Sequence, residues 1–173
     1  PLGVIPRQHP RAHLTRDGIP WYLGYIGRSL SSEYVIMYNK QMISLEQAQA
    51  AITAMIADYN RDTNRRKVDM AVVDDAGNLL AYARMDRCLR PTQAIRKAYT
   101  AATRSMSTAE FAEQLSSMGR SIDVYADPQL VAIPGGVTVL HDGVVVGAIG
   151  VGGLPSGFDD EAIAKAGVQA LGL

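Results

Sequence analysis

The sequence predicts an α+β domain, a central antiparallel sheet of about five strands flanked by helices. Two pairs of β-prone runs, 67–74 with 78–85 and 131–141 with 144–151, are each joined by a connection of hairpin length. Helical patterns stand before, between and after these pairs. Those hairpin-length connections disfavour a doubly wound parallel sheet, and "GAIGVGG" is not a dinucleotide loop, since its glycine spacing is wrong and no helix opens directly after it.

The first 36 residues differ from the rest. "PLGVIPRQHPRAHLTRDGIP" carries four prolines and predicts extended or irregular chain. "WYLGYIGRSLSSEYVIMY" then holds Trp21, Tyr22, Tyr25, Tyr34 and Tyr38, five of the eleven aromatic residues. Such density predicts an N-terminal arm, residues 1–41, docked on the body or on a neighbouring subunit. A single domain is expected over 42–173.

Ser44 is a natural N-cap, and Gln47 completes a capping box. Leu45, Ala48, Ile52, Met55, Ile56 and Tyr59 follow as one apolar stripe, and the helix fades in "NRDTNRR". The first hairpin turns at "DAGN", where Gly77 is available for positive φ. Pro91 sits where a helix starts, and Ala94, Ala98, Ala101 and Ala102 form a thin stripe that permits close approach. The next helix is capped by Ser107 or Thr108, with Glu110 behind, and stops at Gly119. Residues 120–130 read as loop. The second hairpin turns at "HDG", and the closing helix carries Asp159 and Asp160 in its first turn, where acids complement the dipole.

Lys+Arg and Asp+Glu both number 17, and this formal net charge of zero argues against nucleic acid or a polybasic membrane anchor. No apolar run is long enough for a transmembrane helix, and no basic region followed by an apolar one stands at the start. One cysteine, Cys88, excludes an internal disulfide. A reducing, cytoplasmic location is the expectation. His9, His13 and His141 show no zinc spacing, so no metal site is expected. Walker A and G-x-S-x-G motifs are absent.

What remains is a polar set embedded in small-residue stretches. Arg84 and Asp86 end the first hairpin. Lys97, Thr100 and Arg104 share one side of the alanine-rich helix. Gly135 and Gly136 in "IPGG" offer bare backbone. Together they predict a pocket with a glycine floor and a cationic rim that holds a carboxylate. The glycine-thinned "VVVGAIGVGG" would admit the final helix or a partner subunit.

"VVDDAGNLLAYARMD", "IRKAYTAA", "IPGGVTVLHDGVVVGAIGVGG" and "DDEAIAKAG" resemble the GlcG/HbpS-like family over about residues 42–170. That family includes haem-binding proteins and the C-terminal domain of PduO-type corrinoid adenosyltransferases; hydroxylaminobenzoate lyases are also similar. The resemblance implies a profilin-like domain, homo-oligomers and a small-molecule ligand. It places the pocket on Arg84, Asp86, Lys97, Gly135 and Gly136. The chain departs from the family at Gly152, where members usually carry serine, and the signal peptide of the secreted members is not visible in it.

Two functions follow. The first is binding of haem or a related tetrapyrrole, with propionates on Arg84 or Lys97, and Thr100, Tyr99, His9 or His13 as the axial ligand. The alternative is a cofactor-free lyase or isomerase on a small aromatic carboxylate, such as 4-hydroxylaminobenzoate. There Arg84 or Lys97 would bind the carboxylate and Asp86 or Lys97 would move protons. Expected partners are the small molecule and further copies of the chain, with neither nucleic acid nor membrane.

Overall fold

Ser44 sets the start of the first helix. Its hydroxyl accepts from the Gln47 amide at 3.1 Å, and the Gln47 side chain accepts from the Ser44 amide at 3.0 Å. Helix α1 (Leu45–Tyr59) buries Ala48, Ala51, Met55 and Tyr59. The expected stripe is shifted, because Leu45 and Ile56 lie outside the contact with the sheet and stay exposed. At the far end the Arg65 guanidinium donates to the Asp58, Tyr59 and Asp62 carbonyls, occupying acceptors that a helix C-terminus leaves open. The structure, a computed structural model, describes residues 40–173. The expected aromatic arm falls outside the described residues over 1–39.

Strands β1 (Asp69–Asp74) and β2 (Leu79–Arg84) form the first hairpin. Its turn is local chemistry: Asp74 Oδ1 accepts from the Ala76 and Asn78 amides, and Gly77 takes φ +86°. Helix α2 (Gln93–Arg104) follows, then α3 (Thr108–Ser117), capped by the Ser107–Glu110 box. Hydrogen bonding with Ser107, its amide first, holds the Glu110 carboxyl below its ordinary range. One turn of 3-10 helix, Ile122–Tyr125, lies inside the expected loop. Strands β3 (Gly136–His141) and β4 (Val144–Gly152) form the second hairpin, and α4 (Gly157–Gln169) closes the chain.

The strands pair antiparallel in the order β2-β1-β4-β3, four rather than five. The stretch from 131 to 135 does not add to the sheet as a full strand. The Val131 amide donates to Thr100 Oγ1 at 3.0 Å instead of to a ladder, and regular pairing starts at Gly136.

One face of the sheet, with Met70, Val72, Val139, Ile149 and Val151, packs on α1 and α4 through Met55 and Ile163. The other face, with Ala71, Val73 and Ala148, packs on the alanines of α2. Here the thinned strand finds its reason. A Cβ at Gly150 would run into the Ala94 carbonyl oxygen and the Ala98 amide nitrogen. Helix α2 therefore rests directly on the β4 backbone, which only glycine permits. A third cluster, Phe111, Leu115 and Leu130, seats α3, with Arg104 stacked 4.4 Å from the Tyr125 ring centroid.

Candidate functional site

The residues expected to form one pocket fall in two places. The first is beneath α2. Lys97 is 1 % exposed, and its Nζ lies 2.7 Å from Asp160 Oδ2 in the first turn of α4. Asp160 Oδ1 accepts from the Leu154 amide at 3.0 Å. The expectation that the Lys97 ammonium stands at a pocket rim is corrected: its long stem passes inward and its charge is consumed by a buried ion pair. Burial pushes the Asp160 carboxyl above the ordinary range, with the Lys97 ammonium opposing that push.

Thr100, Gly135 and Gly136 join Lys97 here, all facing inward. Thr100 Oγ1 donates to the Arg96 carbonyl at 2.9 Å and accepts from Val131. A Cβ at Gly135, which has φ +122°, would lie 2.7 Å from Lys97 Nζ, and one at Gly136 would strike the Lys97 carbonyl oxygen. The expected open backbone is thus filled by α2. Thr100 is fully buried and its hydroxyl is committed, so it cannot reach an external ligand without opening the core. Tyr99 donates its phenol to Asp127 at 2.9 Å.

The second place lies where β2 ends. Arg84 and Asp86 line a cleft of about 350 Å³ with Tyr59, Asn60, Thr63, Lys67 and Met85. Tyr59 forms its buried floor. Lys67 Nζ donates to the Tyr59 hydroxyl at 3.1 Å and stands 5.3 Å from its ring centroid. Arg84 and Lys67 therefore put two cations on one cleft with one facing acid, Asp86. Sequence reading missed Lys67, although the expected hairpin already set residue 67 opposite residue 85. Lys97 is not among the lining residues, so the structure does not assemble Arg84, Asp86 and Lys97 as one catalytic group.

A further constellation escaped the sequence. Asp69 opens β1 and is fully buried. Its Oδ2 accepts from the Ala94 amide at 3.2 Å and from the Tyr82 hydroxyl at 3.3 Å, while Oδ1 has no partner. Thr92, the N-cap of α2, sits at φ +75° and gives no side-chain cap. Asp69 supplies that cap from across the sheet. Burial raises its carboxyl, and the Ala94 and Tyr82 donors only partly offset this.

The sign of the pH dependence follows. A carboxyl raised in the folded state contributes stability that is complete below the ordinary carboxylate range and is lost as pH climbs through its raised value. Asp69→Asn keeps one acceptor and removes the buried charge. Its stability relative to wild type is expected to improve with pH across that window and then stay level. Denaturant melts from acid to neutral pH check this, and a difference flat with pH would contradict it.

Among the described residues no His/Cys/Asp/Glu cluster suited to a metal occurs, and no helix is long and apolar enough to cross a membrane.

Comparison with known proteins adds a second line of observation. A family model described as haem degrading protein HbpS-like matches residues 43–169. Protein GlcG of Escherichia coli K12 is 39% identical over 117 residues, covering 66% of this chain and 84% of the relative. A double mutant of HbpS from Streptomyces reticuli superposes with TM-score 0.72 at 33% identity, covering 84% of this chain and 95% of the other. A PduOC:haem complex superposes with TM-score 0.66 at 22% identity, over 75% of this chain and 95% of the other, a likeness of fold.

Proposed function

This chain belongs to the HbpS-like family, and on that premise we propose that it binds haem or a related tetrapyrrole at the cleft where Arg84 and Lys67 meet. The observation that carries the reading is the pairing of those two cations beside Met85 over a tyrosine floor. Haem presents two propionates on one edge of a flat apolar ring, and this donor set fits that edge. Arg84 offers a planar fork for one carboxylate and Lys67 a point charge for the other. Met85 supplies the cleft's thioether, a soft donor of the kind that ligates haem iron. Bound haem would bring the redox and ligand chemistry of its iron; the protein's part is to hold the propionate edge.

Each charge-assisted hydrogen bond contributes roughly 1.5–3 kcal/mol, and 1.4 kcal/mol is about tenfold in affinity. Haem dimethyl ester, which keeps the ring and loses the propionate charges, is therefore expected to bind at least about tenfold more weakly than haem. Equal affinity for the ester would remove Arg84 and Lys67 from the site. Arg84→Lys should also weaken binding, since an ammonium does not reproduce the fork.

The lyase alternative loses Lys97, whose ammonium is sealed against Asp160, and keeps only Arg84 and Asp86 on one cleft. Self-association remains part of the proposal. Leu45 lines an α1–β2 groove with Ile52 and Leu80, and Ile56 of α1 and Leu79 of β2 are also exposed, apolar surface that a second copy can cover. Light scattering should give at least twice the 18.6 kDa chain mass; a clean monomer at micromolar concentration would contradict it.

A further inference from the structure

The zero net charge conceals a sorted surface. The segment 61–67 after α1 and the segment 84–90 after β2 together hold seven cations, Arg61, Arg65, Arg66, Lys67, Arg84, Arg87 and Arg90, against two acids, Asp62 and Asp86. Outside these segments, with the buried Lys97, Asp69, Asp74, Asp160 and Glu161 set aside, the described residues hold five cations against nine acids. The two segments meet in space, since Lys67 and Arg84 line one cleft and the Met85 amide donates to the Val68 carbonyl at 3.0 Å. One end of the fold is thus strongly basic while the rest is acidic.

The second segment also carries an apolar tip. Leu89 is 81% exposed, the most exposed large hydrophobic residue described, and it sits between Arg87 and Arg90, both exposed. Its position is held. Cys88 beside it is buried, the Cys88 amide donates to the Met85 carbonyl at 3.1 Å, and Arg87 sits at φ +61°. Exposing a leucine costs solvation, and left-handed backbone at a non-glycine residue costs more. Such strain persists where the surrounding structure enforces it and clusters at functional sites. An apolar tip flanked by two arginines matches an interface that is apolar inside and anionic at its surface.

We infer that this basic end docks on an anionic phospholipid surface, with Leu89 entering the headgroup boundary and Arg66, Arg87 and Arg90 pairing with lipid phosphates. The inference goes beyond the haem reading and does not depend on it. It would set the Arg84–Lys67 cleft against the membrane, where an apolar tetrapyrrole dissolves.

The test uses the full chain without haem and two kinds of vesicle, phosphatidylcholine alone and phosphatidylcholine mixed with phosphatidylglycerol, in a sedimentation assay. Binding is expected to the mixed vesicles only, and to weaken as salt rises from about 0.05 M to about 0.5 M, since the Debye length shrinks severalfold. Arg87→Ser and Arg90→Ser should each lower partitioning about fivefold. Leu89→Ser should lower it further, while circular dichroism and melting stay as in wild type. Equal binding to both vesicle types, binding unchanged in the variants, or no binding would overturn the inference. The same holds if the variants change only the size of the chain's own assembly, which would make this end a contact between copies. Haem binding is measured without lipid, so the two readings fail separately.

Discussion

Gly150→Val is expected to leave little folded protein. The valine Cβ would enter the space of the Ala94 carbonyl oxygen and the Ala98 amide nitrogen, both backbone atoms of α2 that no rotamer can move aside. Helix α2 would have to lift from β4, and with it the contact that buries Ala94, Ala98 and Ala101. Overpacking a core costs typically about 1–3 kcal/mol when side chains can adjust. Here they cannot, so the loss should exceed about 3 kcal/mol, a large part of a domain's marginal stability. Gly143→Ala is the control. Gly143 has φ +77° with nothing within 4 Å of its would-be Cβ, so only the left-handed backbone is penalised, about 1–2 kcal/mol. Chemical denaturation of both variants reads the difference, and a Gly150→Val midpoint near wild type would mean that α2 does not rest on β4.

Lys97→Met is expected to cost about 3–5 kcal/mol at neutral pH, because it strands the Asp160 carboxylate in a dry interior. The length of methionine preserves the packing, so the loss reports the missing charge. With the ammonium gone, only the Leu154 and Gly153 amides still oppose the burial that already raises Asp160. A protonated Asp160 carries no stranded charge, so the deficit should shrink as pH falls through that raised value and be largest above it. Adding Asp160→Asn, which keeps an acceptor for the Leu154 amide, should recover most of the loss. A neutral single variant, or a double variant no better than the single, would mean the pair is not buried as described.

The parts that could be read in the sequence are those decided locally. The Ser44–Gln47 and Ser107–Glu110 boxes act over three residues, and the Asp74 turn closes over four. The alanine stripe of α2 and the glycines of β4 are two sides of one close contact, and both show as compositional patterns. The parts that could not be read join distant residues. Lys97 meets Asp160 across 63 positions, and Asp69 caps α2 across 25. In one dimension Asp160 is simply an acid in a first helical turn, and Lys97 a cation on a thin face. The missing fifth strand has the same origin, because Thr100 takes the Val131 amide from 31 residues away and β-propensity carries no trace of that competition. Arg84 and Asp86 were legible because a hairpin delivers its own end. Lys67 lies at the other end of the same hairpin, so its place beside them was readable from the same pairing.

The central claim is that Arg84 and Lys67 hold a tetrapyrrole by its propionates, and haemin titration followed at the Soret band tests it most directly. Wild type and the double variant Arg84→Gln/Lys67→Gln are titrated side by side, with melting curves confirming that both are folded. The expected result is a Soret band that saturates at a fixed haem-to-chain ratio for wild type, and affinity about a hundredfold lower for the double variant, tenfold per charge removed. A wild-type signal that rises without saturating, or a double variant that saturates at wild-type affinity, would contradict it.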